Sequence, residues 1–91
     1  MNAFSAVYPA TLDSVQKLLI TILGLRDGDF TRGAETRLLG HFAELDSMAA
    51  ISILTALEEQ FGIQVEDDDI SGSTFETLGS LAAYVQDKLN G

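Results

Sequence analysis

The chain has 91 residues, 46% of them hydrophobic, with 14 acidic side chains against 5 basic ones and no cysteine. That length supports one hydrophobic core, so a single domain over residues 1–91 is expected, and a net charge of −9 disfavours nucleic acid and anionic membranes as partners. Disulfides and thiolate metal sites are excluded. No apolar run approaches the ~20 residues of a membrane span, and residues 1–10 have neither the basic residue nor the long apolar run of a secretory signal, so a soluble, cytoplasmic protein is expected.

The first helix is predicted from Asp13, where Asp13 and Gln16 have capping-box spacing. Val15, Leu18, Leu19 and Ile22 follow at helical intervals, and Gly24 stands where a glycine would end the helix. A long irregular stretch comes next, with glycines at 28, 33 and 40 and polar clusters such as Arg26-Asp27-Gly28-Asp29. Leu38, Leu39, Phe42 and Leu45 predict that this loop packs onto the core.

The second helix is predicted over Ser47 to Phe61, with Met48, Ile51, Leu54, Leu57 and Phe61 as its apolar stripe, Ile53 widening it and Gly62 ending it. Ile51, Leu54, Leu57 and Phe61 are expected to face Leu18, Ile22, Leu81 and Val85 and to line a shelter beside the core. Residues 63–65 read as a short extended link, and the acidic run Glu66-Asp67-Asp68-Asp69 could cap a short helix over residues 68–71. Ser73 and Glu76 have the spacing of a capping box for the last helix, whose apolar face is Leu78, Leu81, Ala82, Val85 and Leu89. Gly79 weakens its first turn by up to ~1 kcal/mol relative to alanine. Strand alternation never persists beyond three or four residues. The predicted fold is all-α: a small four-helix bundle of three long helices and one short one, with a long loop between the first two.

Leu45-Asp46-Ser47-Met48 joins that loop to the strongest helical pattern. Ser or Asp before an apolar run commonly caps a helix. A serine in this place also sits where backbone N–H groups have no intrahelical acceptor and the helix dipole is positive, so an anion carried on its hydroxyl would lie in a favourable field.

This order of elements resembles the acyl carrier protein family, from about Asp13 to Leu89. The resemblance is carried by Asp46-Ser47-Met48, similar to the family's Asp-Ser-Leu, by Leu57-Glu58-Glu59-Gln60-Phe61-Gly62, and by Tyr84 and Val85 in the last helix. It implies a non-enzymatic, monomeric carrier with 4′-phosphopantetheine attached to the Ser47 hydroxyl and Asp46 as the adjacent acid. As in the family, Asp46 could help position the Mg²⁺ used during attachment, or serve simply as a helix-terminal acid. The implied partners are a phosphopantetheinyl transferase and acyl-transferring or acyl-activating enzymes with basic docking surfaces.

Ala43 and Glu44 replace the family's frequent Leu-Gly, and Ala49 and Ser52 stand where fatty-acid carriers often have acids. These departures point to a specialised pathway. Arg37-Leu38-Leu39-Gly40 with Glu44-Leu45-Asp46-Ser47-Met48 is similar to carriers of bacterial exopolysaccharide or exosortase-associated clusters.

The remaining constellations carry no chemistry. His41 is the sole histidine and has no nucleophile at a recognisable spacing. Residues 66–69 lack the alternating acids, central glycine and closing glutamate of a calcium loop, so no metal site is expected. A second function remains open at this level: an unmodified acidic helical module in which Ser47 only caps a helix.

Overall fold

The computed structural model describes residues 9–38, 40, 42, 45–66 and 73–90. Three α-helices dominate them: α1 (Pro9–Leu23), α2 (Ser47–Phe61) and α3 (Leu78–Asn90). The predicted short helix over residues 68–71 lies outside the described residues, as do Leu39, His41, Ala43, Glu44 and Asp67 to Asp69.

α1 begins at Pro9, one turn before the predicted Asp13 start. Proline is well suited to a first helical position, since its fixed φ is already helical and its missing N–H would have no intrahelical partner. Asp13 is therefore interior, and its carboxylate pairs with Lys17 Nζ at 3.0 Å across one exposed turn instead of capping. Gly24, at φ +68°, ends α1 in the left-handed region, and the Leu25 N–H bonds back to the Ile20 carbonyl at 3.1 Å.

The following loop contains two short 3₁₀ segments, Asp27–Phe30 and Gly33–Glu35. The Asp29 carboxylate accepts from the Arg26 N–H at 2.9 Å and fixes the first of them. As predicted, the loop packs inward: Phe30, Leu38 and Leu45 are buried, and the Phe42 ring lies 5.9 Å from that of Phe30. Its far end pairs with the chain entering α3. Leu38 N–H donates to the Glu76 carbonyl, Leu78 N–H donates to the Thr36 carbonyl, each at 2.9 Å, and Arg37 bridges Thr77 in antiparallel fashion.

That pairing overturns the expected Ser73–Glu76 cap. With its carbonyl bound to the loop, Glu76 stays outside the helix. The start is instead held by a reciprocal pair one turn later: Ser80 N–H donates to Thr77 Oγ1 and Thr77 N–H donates to Ser80 Oγ, both at 3.0 Å.

The core joins Val15, Leu18 and Leu19 of α1 to Ile53, Leu54 and Leu57 of α2 and Leu78, Leu81, Ala82 and Val85 of α3. Leu89, expected on the apolar face of α3, is largely exposed. In the link after α2, Ile63 and Val65 pack against the core and Gln64 is exposed. Inside the α1–α3 contact, Thr11 Oγ1 donates to Gln86 Oε1 at 2.8 Å, a buried polar pair that the sequence pattern did not reveal.

Candidate functional site

The head of α2 is assembled by residues on both sides of Ser47. Leu45 is buried, and its N–H donates to the Phe42 carbonyl at 3.1 Å, anchoring the end of the loop. Asp46 follows in extended conformation (φ −108°, ψ −174°), and its Oδ1 accepts from the Ala49 N–H at 2.8 Å. The Asp46 carbonyl accepts the first intrahelical bond, from Ala50 N–H at 2.9 Å. Asp46 is thus the N-cap, and Ser47 is the first helical residue. The reading of Ser47 itself as a cap is corrected by this geometry: the aspartate does the capping.

The consequence is chemical. The helix provides no carbonyl to the N–H groups of its first residues, and only that of Ala49 is taken by the cap. Those of Ser47 and Met48 remain at the positive end of the dipole, with no acidic residue in the first turn. An anionic group at this helix start would face N–H groups that have no intrahelical acceptor. Asp46 and Met48, on either side, are both exposed, so the helix start opens to solvent.

The far end of α2 closes on Gly62, at φ +66°, whose N–H donates to Glu58 O at 2.9 Å. The Glu58 carboxylate accepts from Val65 N–H at 3.1 Å and ties the outgoing link to the helix.

The face assigned to α2 from sequence needs correction. Ile53 and Leu57 are fully buried and Leu54 nearly so, but Met48 is 73% and Ile51 59% exposed. Steps of three residues turn 300°, so the series 48, 51, 54, 57 drifts by about 60° per step and ends on the opposite face from where it began. Of the α2 residues expected to face the core, Ile51 is the one that departs. Leu54, Leu57, Leu81 and Val85 are packed in the core, and Ile51 faces away from them. An open groove does exist between α1 and α2, floored by Leu18, Ile22 and Ala56 and rimmed by Lys17, Glu59 and Gln60. It lies along the second half of α2, remote from Ser47.

Among the described residues no helix is long and apolar enough to cross a membrane, and no three His, Asp or Glu side chains are grouped to hold a metal ion.

Residues 13–85 match the family described as phosphopantetheine attachment site. The chain is 48% identical to a holo acyl carrier protein from Nitrosomonas europaea, whose solution NMR structure superposes with a TM-score of 0.77 over 88% of this chain and 96% of that one. It is also 33% identical, over 43 residues, to an acyl carrier protein of Rhodococcus erythropolis, covering 47% of this chain and 45% of that protein. A meromycolate extension acyl carrier protein of Mycolicibacterium aurum is 30% identical over 43 residues, 47% of this chain and 42% of that protein. The matched stretch thus spans under half the length of these two relatives.

Proposed function

This chain belongs to the acyl carrier protein family, and on that premise we propose that Ser47 is the residue that bears its covalent 4′-phosphopantetheine. The observation that carries the assignment is the division of labour at the head of α2. Asp46 caps the helix through Oδ1, so Ser47 is the first helical residue and is not needed as the cap.

In the attachment step, Ser47 Oγ bonds to the phosphorus of the phosphopantetheinyl group of coenzyme A. The adenosine bisphosphate portion leaves, and the hydroxyl proton passes to a base of the transferase. The first-turn N–H groups favour the phosphodiester charge that results. Asp46 Oδ2 has no partner among the described residues, so this carboxylate can cap the helix with one oxygen and offer the other to the Mg²⁺ of the transferase complex.

The arm's terminal thiol supplies the nucleophile that this cysteine-free chain lacks, and holds an acyl group as a thioester. The protein is a carrier and not a catalyst. It acts in the cytoplasm as a monomer, delivering the acyl group on a tether that raises its effective concentration at successive partner enzymes. Uncharged Ala49 and Ser52 support service in a specialised pathway over general fatty-acid synthesis.

Intact-mass spectrometry after incubation with coenzyme A, Mg²⁺ and a broad-specificity phosphopantetheinyl transferase is the test. Wild type should gain one phosphopantetheine and Ser47→Ala none, with the helical circular-dichroism spectrum unchanged. Modification of Ser47→Ala would move the attachment to another residue, and an unmodified wild type under conditions that load known carriers would favour the unmodified interaction module.

A further inference from the structure

The first turns of α2 have little hold on the core. From Met48 to Ser52 no residue is buried, and the first that is, Ile53, stands about 9 Å of helix rise beyond Ser47. The Asp46 cap does not make up for this, because it bonds within the helix it begins. What ties the head of α2 to the rest of the molecule lies on the other side of Ser47. Leu45 is buried, and backbone hydrogen bonds lead from it in three steps to the start of α3. Leu45 N–H donates to the Phe42 carbonyl at 3.1 Å, and Phe42 N–H donates to the Leu38 carbonyl at 3.1 Å. Leu38 N–H completes the relay on the Glu76 carbonyl at 2.9 Å.

Phe42 is the middle link, with both of its backbone groups engaged. Its side chain is partly buried, and its ring lies 5.9 Å from that of Phe30 at an angle of 42°, within the range of favourable aromatic pairs. Phe30 is a firm seat. It is buried in the core and belongs to the 3₁₀ segment that the Asp29 carboxylate fixes.

We propose that Phe42 is a positioning residue for the attachment reaction: its ring, seated on Phe30, holds the backbone relay that sets where Ser47 stands. This rests on Ser47 being the attachment residue. Phe42 touches no reacting atom and acts through Leu45, whose N–H it receives two residues before Ser47. A transferase must bring Ser47 into line with the phosphorus it attacks, and a misplacement of ~1 Å in such an arrangement can cost about 10²-fold in rate. Without the ring the relay loses its side-chain anchor and can shift. The three helices keep their own contacts through Val15, Ile53, Leu57 and Leu81, all fully buried. The loss therefore falls on the reaction more than on the fold.

The test measures kcat and KM for loading by a broad-specificity phosphopantetheinyl transferase with coenzyme A and Mg²⁺. Substrates are wild type, Phe42→Ala, the milder Phe42→Leu, the ring-keeping Phe42→Tyr, and Thr11→Val as a destabilised control in the α1–α3 contact. Melting temperatures are recorded in parallel, so that each variant is assayed folded. Phe42→Ala should lower kcat about tenfold, and Phe42→Leu about threefold, with KM for the carrier within about twofold of wild type. Phe42→Tyr should load within about twofold of wild type, and Thr11→Val should melt lower yet keep the wild-type kcat. Hydrogen exchange gives a second reading. The Leu45 amide should exchange about tenfold faster in Phe42→Leu than in wild type, with the Leu57 amide unchanged. Phe42 variants with wild-type kcat, an equal kcat loss in Thr11→Val, or a rise in KM alone would overturn the positioning role and leave Ser47 as the attachment site. A wild type that cannot be loaded removes both.

Discussion

The carboxylate of Asp46 accepts a hydrogen bond from the Ala49 N–H at 2.8 Å, and this contact separates structure from chemistry at the head of α2. Asp46→Ala should cost about 1 kcal/mol, the usual effect of losing an N-cap. Ser47→Ala should change stability by less than about 0.5 kcal/mol, because alanine is a good helix former and no cap is lost. Urea unfolding of the two variants compares them directly. A larger loss for Ser47→Ala would return the capping role to the serine.

The phase of α2 can be read by an alanine pair three residues apart. Leu54, 6% exposed and packed against the other helices, should cost ~2–5 kcal/mol on truncation. Ile51, 59% exposed, should cost under about 1 kcal/mol. Equal losses of melting temperature would mean that α2 is rotated from the position described.

Thr11 and Gln86 form a buried hydrogen bond between the first and last helices. Thr11→Val removes the hydroxyl and strands the Gln86 amide, with an expected cost of about 1–3 kcal/mol. Gln86→Leu should be comparably harmful alone. The double variant should recover part of the loss, since both polar groups are then gone. A double-mutant cycle measures the coupling, and strictly additive losses would argue against the contact.

Charge should govern stability as a whole. With 14 acids against 5 bases the folded chain repels itself, and the Lys17–Asp13 pair is exposed and contributes little in return. The melting temperature should rise as salt shortens the Debye length from ~30 Å at 0.01 M to ~8 Å at 0.15 M. A falling melting temperature across that series would show attractive pairs outweighing repulsion.

What the sequence determined by itself is local. Asp46 and Gly62 bound α2 because a capping carboxylate and a left-handed glycine act within one turn of the chain. The inward packing of Leu38 and Leu45 followed from large apolar residues in a loop that had to bury them. The Asp-Ser-Met triplet at a helix start was legible for the same reason, and with it the candidate attachment residue. Tertiary contacts decided the rest. Two successive cap patterns lie at the start of α3, Ser73 with Glu76 and Thr77 with Ser80. The second prevails because the loop takes the Glu76 carbonyl through Leu38 N–H and holds residue 76 outside the helix. The face of α2 was undecided in the same way. Its apolar residues nearly encircle the helix, so only the positions of α1 and α3 select Ile53, Leu54 and Leu57 for the core and leave Met48 and Ile51 outside, beside Ser47. Periodicity identifies a helix from its own residues, but the face that is buried is a property of what packs against it.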